Sequence, residues 1–293
     1  MLGKLLKYDF KALNRVMLPL QGATLVAGML GCFFVNFSFR SLATNITQTL
    51  SQSPSYSTSS LEQMLYLCSS LLAGLFLSVV FASSWVTLFL IARHFYNNFL
   101  KDEGYLTFTL PVTTNQNLLS KTIVGGVWTL INLVVLSLVM VVLTLVGFST
   151  EGLISEDVLK VYGEIFSVFG ATQGTVLIVE SIAVCLIGAV FSVLMVYVSL
   201  VIGASIARTY KALAGVGIYV GISFVIQILL SAVYIVVVFC MASGTTTSSV
   251  LSPDYFFNMM QMLLLPILVI YAICPVVFHL VSKHLLSNKL NLD

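Results

Sequence analysis

The chain has 293 residues, of which 59% are hydrophobic and 8% charged, with a net charge of +2. Soluble domains carry roughly a quarter charged residues, so an ordinary soluble fold is excluded, and the small net charge gives no basic surface for nucleic acid. A mean hydropathy of +1.05 points to an integral membrane protein.

The charges lie between long empty runs. No Asp, Glu, Lys or Arg occurs between Arg15 and Arg40, Glu62 and Arg93, Lys121 and Glu151, Glu180 and Arg208, Lys211 and Asp254, or Asp254 and Lys283. Each run exceeds the ~20 residues a spanning helix needs. Unpaired backbone amides are not tolerated in lipid, and a barrel would alternate at period two, so the expectation is all-α with six spanning helices.

Residues 1–17 place Leu2, Leu5, Leu6, Leu13, Val16 and Met17 at helical spacing, with Lys4, Lys7, Lys11 and Arg15 mostly between them. This predicts a basic amphipathic helix in the membrane interface, redirected into the first span at Pro19; an ordinary basic flank is the alternative. Spans one and two follow within 18–92, roughly Leu18 to Phe39 and Met64 to Ala92, joined by a Ser/Thr-rich loop. A polar island occupies 93–121. Spans three (Thr122 to Phe148) and four (Thr175 to Ala207) fill 122–207, around an acidic segment with Glu151, Glu156, Asp157 and Glu164. Spans five (Ala212 to Met241) and six (Met259 to Val281) fill 208–282, with Pro266 and Pro275 expected to kink the last, and 283–293 is a tail. The whole is expected to be a single transmembrane domain over 1–293.

Eleven of the 13 basic residues fall on one side of this layout: Lys4, Lys7, Lys11, Arg15, Arg93, Lys101, Lys121, Arg208, Lys211, Lys283 and Lys289. The positive-inside rule puts that side, with both termini and the island, in the cytoplasm. Trp85 and Trp128 stand at similar distances from the island, as an interface belt would. On that reading spans two and three each run on about two turns as a stalk; tilt is the competing explanation.

The five cysteines lie in or at the ends of apolar runs and read as small buried hydrophobes. His94, His279 and His284 have no metal-binding spacing, and neither HExxH nor a G-x-S-x-G elbow occurs, so the chain is not expected to be an enzyme. It has no G-x-x-x-x-G-K-[ST] either, so ATP-driven work would fall to a partner. Asn132 and Gln227 sit mid-span, where each must find a hydrogen-bond partner; they either fasten helices or line a substrate path. Glu180, near a span end, is a suspect for a proton or cation role. Gly217 and Gly221 form a GxxxG that permits close helix approach.

The island has its own grammar. Phe95, Tyr96, Phe99 and Leu100 form a stripe at helical spacing, Lys101, Asp102 and Glu103 end it, and Gly104 allows a turn before Tyr105. Pro111 blocks helical continuation, and Thr113 with Gln116 has the form of a capping box. A water-exposed aromatic stripe with a charged tip suggests a knob for a cytoplasmic protein; an aromatic face lying on the bilayer is the alternative.

Two stretches, "LLKYDFKALNRVMLPL" (Leu5 to Leu20) and "FYNNFLKDEGYLTFTLPVTTNQNLLSK" (Phe95 to Lys121), resemble the permeases of bacterial type-2 ATP-binding-cassette (ABC) exporters, in the group common in Firmicutes. The resemblance implies a connecting helix in the membrane plane at Leu2 to Met17 and a coupling helix at about Phe95 to Tyr105. It implies an ATPase subunit touching Phe95, Tyr96, Phe99, Leu100, Lys101, Asp102, Glu103 and Tyr105, and a second permease, as a homodimer or with a sibling chain. ATP and Mg²⁺ would belong to the ATPase; this chain would carry no cofactor and lie in lipid as a multi-pass protein of the bacterial cell membrane. The family tends to have short re-entrant helices between spans five and six, but Ser243 to Met260 show no clear signature of them. The implied function is export of an amphipathic or peptide-like compound, such as a drug or antimicrobial peptide; a membrane-anchored sensor or immunity protein is the alternative.

Overall fold

The protein is described by a computed structural model covering residues 2–50, 60–100, 113–149, 172–207, 209–244 and 253–288. Among the described residues every regular element is a helix: α1 (Leu2–Leu50), α2 (Ser60–Phe99), α3 (Thr114–Ser149), α4 (Thr172–Ile206), α5 (Lys211–Gly244) and α6 (Pro253–Asn288). Each contains a segment long and apolar enough to cross a membrane, as expected from the six charge-free runs. The fold is that of a multi-pass helical membrane protein. The Ser/Thr-rich loop, the acidic segment, most of the connection before α6 and the island from Lys101 to Val112 lie outside the described residues.

α2 continues past Ala92 to Phe99, and α3 begins at Thr114, before Lys121. The helical extension expected on either side of the island is therefore present. Its cap is too: the Gln116 N–H donates to the Thr113 hydroxyl at 3.4 Å, the backbone half of the expected capping box.

The turn at Pro19 is not present. Residues 2–17 are the first turns of α1, which passes through Pro19 without ending, and α6 likewise runs through Pro266 and Pro275. A proline removes one intrahelical bond, whereas a break inside an apolar segment would leave several backbone groups unpaired in lipid.

Two compact units divide the chain. One comprises Met1–Leu13, Leu88–Leu130 and Ser167–Asp293; the other comprises Asn14–Thr87 and Ile131–Phe166.

In the first unit α4 packs against both α5 and α6. Phe191, Met195 and Ile226 form the buried core, joined by Tyr219, Ile222, Tyr271 and Phe278. The Phe191 and Tyr271 rings stack with centroids 4.5 Å apart. α4 and α5 meet backbone to backbone at Gly203 and Gly215, where a Cβ on Gly203 would collide with the main chain of Ala214 and Gly215. Gly217 and Gly221, the glycines singled out by spacing, face open space instead. Spacing identifies glycines that permit approach; which pair meets depends on how the buried face of α5 turns, and that face carries Gly215 and Ile226.

In the second unit Ala27, Cys32, Val80 and Val139 make the core, with Phe34 stacked on Phe76 at 5.6 Å. Gly28 lies against Val139 so closely that a Cβ there would strike its side chain. Of the free cysteines, Cys32 is buried, but Cys68 and Cys185 face outward, contrary to the reading of all five as buried. A thiol is apolar enough to face lipid at little cost.

Candidate functional site

The polar chemistry of the first unit converges on Asp9. It sits between Leu6 and Leu13 on the apolar stripe of α1, three residues after one and four before the other, so helical periodicity buries it. Lys121 occupies the equivalent place on α3, whose buried face runs Leu118, Lys121, Gly125, Trp128, Asn132, Val135 and Val139 at alternating steps of three and four. Only 8% of Asp9 and 4% of Lys121 is exposed.

Buried charges persist only when paired and hydrogen-bonded, and both are. Lys121 Nζ donates to Asp9 Oδ1 at 3.1 Å, and Ser120 Oγ donates to Asp9 Oδ2 at 2.8 Å. His94 Nε2 stands 3.5 Å from Asp9 Oδ1 and 3.2 Å from Asn98 Nδ2. The ring either donates to Asp9 or accepts from Asn98, according to which nitrogen carries the proton. The Lys121 ammonium also lies 5.6 Å from the Phe99 ring centroid, within cation–π range.

Aromatic packing surrounds this ion pair. Phe95 stacks on Phe99 with centroids 4.8 Å apart and on Tyr197 of α4 at 4.1 Å. The Tyr197 hydroxyl donates to the Lys121 carbonyl at 3.2 Å. A Cβ on Gly125 would sit 3.2 Å from that hydroxyl and 3.0 Å from Val193, so α3 and α4 approach closely here. His279 of α6 bonds Asn115 of α3 at 2.9 Å. The start of α1, the end of α2, the start of α3 and the C-terminal part of α4 are thereby held as one clasp.

The clasp corrects the expected docking surface. Phe95 and Phe99 are fully buried and Leu100 is 5% exposed, so they are not water-facing anchors. The apolar face of the stripe packs inward against Tyr197 because α4 offers it a stacking partner. Tyr96, on the other side of the helix, is half-buried, and Lys101, Asp102, Glu103 and Tyr105 lie outside the described residues.

Asn132 and Gln227 part company. Asn132 Nδ2 donates to Gln21 Oε1 and Ser83 Oγ, each at 3.3 Å, and Asn132 Oδ1 accepts from Ser84 Oγ at 3.0 Å. Gln21 Nε2 donates in turn to Thr87 Oγ1 at 3.3 Å. The amide is spent on fastening α1, α2 and α3 within the second unit, which is the helix-fastening role rather than the wall of a substrate path. Gln227 instead faces outward on α5.

Trp128 is buried, with its indole N–H unbonded among the described residues, so it is a core residue and not an interface marker; Trp85 does face outward. Glu180 is half-buried, and its Oε2 has no hydrogen-bond partner among the described residues. Among those residues no three His, Cys, Asp or Glu side chains gather as metal ligands.

Asp9 is the residue that sequence reading missed. Its signal was present: a lone carboxylate on the apolar stripe of an otherwise basic helix, which must find a cation. The chain matches no protein-family model, no curated protein and no solved structure.

Proposed function

We propose that the chain is the permease subunit of an ATP-binding-cassette exporter, moving an amphipathic or peptide-like compound with energy from a separate ATPase. What carries this reading is the clasp at Asp9 and Lys121, which ties both flanks of the polar island to the start of α1 and to α4. A displacement of the island by a bound ATPase would reach several helices through a buried, hydrogen-bonded connection instead of dissipating in a flexible loop. In this reading the termini and island are cytoplasmic, the membrane is the bacterial cell membrane, and ATP and Mg²⁺ sit on the partner. A second permease, identical or sibling, would complete the pathway.

Partner contact falls to Tyr96, Lys101, Asp102, Glu103 and Tyr105, with Phe95, Phe99 and Leu100 as the internal base on which that contact rests. The test is co-reconstitution of the full chain with a co-encoded ATPase in proteoliposomes. ATP-dependent accumulation of a fluorescent amphiphile, abolished by omitting either protein, is the expected result. Ligand binding with unchanged ATPase activity and no accumulation would favour a membrane-anchored sensor or immunity protein.

A further inference from the structure

Where α4 gives way to α5, an open groove of about 420 Å³ is lined by Tyr96 of the last turn of α2, by Thr209, Tyr210 and Lys211, and by Leu213 and Val216 of the first turns of α5. A volume of this order holds one small-molecule head group and not a folded protein element.

Three observations characterise an occupant. The first is position: the apolar span of α4 ends at Ile206 and that of α5 begins at Lys211, so the groove lies at a membrane–water boundary. The second is charge. Between Glu180 and Asp254 the sequence has no carboxylate, and among the described residues none lies within ion-pair distance of Lys211. The third is polarity along the groove. Thr209, Tyr210 and Lys211 precede or begin α5, while Leu213 and Val216 lead to Val220, three outward-facing residues on one stripe of α5 at steps of three and four. An anionic head with an apolar tail matches that order from boundary to span.

We propose that this groove binds an anionic phospholipid, its phosphate against Lys211, Thr209 and Tyr210 and its first acyl segment along Leu213, Val216 and Val220. The cation gives the preference for anionic over zwitterionic lipid, and the apolar stripe gives the preference for lipid over free phosphate. The proposal is independent of the transport reading, since it needs no ATPase and no substrate.

The full chain in nanodiscs of equal phosphatidylglycerol and phosphatidylcholine, extracted into detergent, washed and assayed for retained lipid by mass spectrometry, provides the test. The parent should retain phosphatidylglycerol over phosphatidylcholine. Lys211→Gln should lower that retention about fivefold, the effect of one lysine near a membrane surface, and Lys211→Arg should preserve it. Leu213→Trp, which leaves the charge but fills the groove, should also lower it, while Lys283→Gln, at an outward-facing lysine of α6, should not. Equal retention of the two lipids by the parent, unchanged retention in Lys211→Gln or Leu213→Trp, or an equal loss in Lys283→Gln would overturn the proposal. So would stripping of the lipid by inorganic phosphate, which would reveal a site for the phosphate alone.

Discussion

Asp9 and Lys121 are 112 positions apart in the chain and 3.1 Å apart in the structure, an ion pair with its two members on the apolar stripes of two different helices. Removing one member leaves the other buried without its closest counterion, which costs about 3–5 kcal/mol, whereas replacing both with apolar groups is often neutral. Asp9→Leu and Lys121→Met should each sharply lower the thermal unfolding midpoint in detergent. The combination Asp9→Leu with Lys121→Met should recover most of the loss. A double variant as damaged as the sum of the singles would show that the two residues do not act as a pair.

The second relationship is steric. Gly203→Ala places a methyl group against the backbone of Ala214 and Gly215, with no flexible side chain to yield, so α4 and α5 must separate. Loss of roughly 1–3 kcal/mol is expected, the usual cost of overpacking. Gly217→Ala meets open space and removes the helix penalty of glycine, so it should be neutral or slightly stabilising. Equal effects of the two would contradict the assignment of the contact to Gly203 and Gly215.

Tyr197 makes two separable contributions. Tyr197→Phe removes one hydrogen bond to the Lys121 carbonyl and should cost about 1 kcal/mol. Tyr197→Ala also removes the ring on which Phe95 stacks and should cost about 3–5 kcal/mol. Unfolding midpoints of the two variants, measured side by side, check the ordering.

Asn132→Leu should cost about 1–2 kcal/mol, because interhelical hydrogen bonds in membranes average well under 1 kcal/mol each and three are lost. If Asn132 acted on a transported compound instead, the variant would change export selectivity and leave the unfolding midpoint untouched.

The number of helices was legible because the charge gaps are long and the apolar composition uniform, but the start of α1 was not, since Pro19 does not end the helix; the cap at Thr113 was legible because its hydroxyl and Gln116 stand at fixed spacing. The orientation of the stripe at Phe95 and Phe99 was not. Periodicity shows that these rings share a face, but whether that face meets water or a neighbouring helix depended on Tyr197, about 100 residues further on, bringing its ring beside them. The fate of Gln227 and Asn132 was hidden for the same reason: both are mid-span amides, and only packing distinguishes the one surrounded by Gln21, Ser83 and Ser84 from the one facing outward. Asp9 was legible in principle. A carboxylate three residues after Leu6 and four before Leu13 is a charge on an apolar stripe, and Lys121 is another between Leu118 and Gly125; each implies a partner of opposite charge.

The burial of Phe99 also decides how the island must be probed. Phe99→Ala opens a cavity in the clasp, so a loss of partner binding in that variant would report damage to the fold as readily as a lost contact. Tyr96 and the charges beyond it are the positions that separate the two.

Capture of a co-encoded ATPase by the full chain in detergent, comparing the parent with Tyr96→Ala, Asp102→Lys and Glu103→Lys combined, tests whether the island docks an ATPase. Capture by the parent and its loss in the combined variant, with an unchanged unfolding midpoint, is the predicted result. Equal capture by both, or none by the parent, would contradict it.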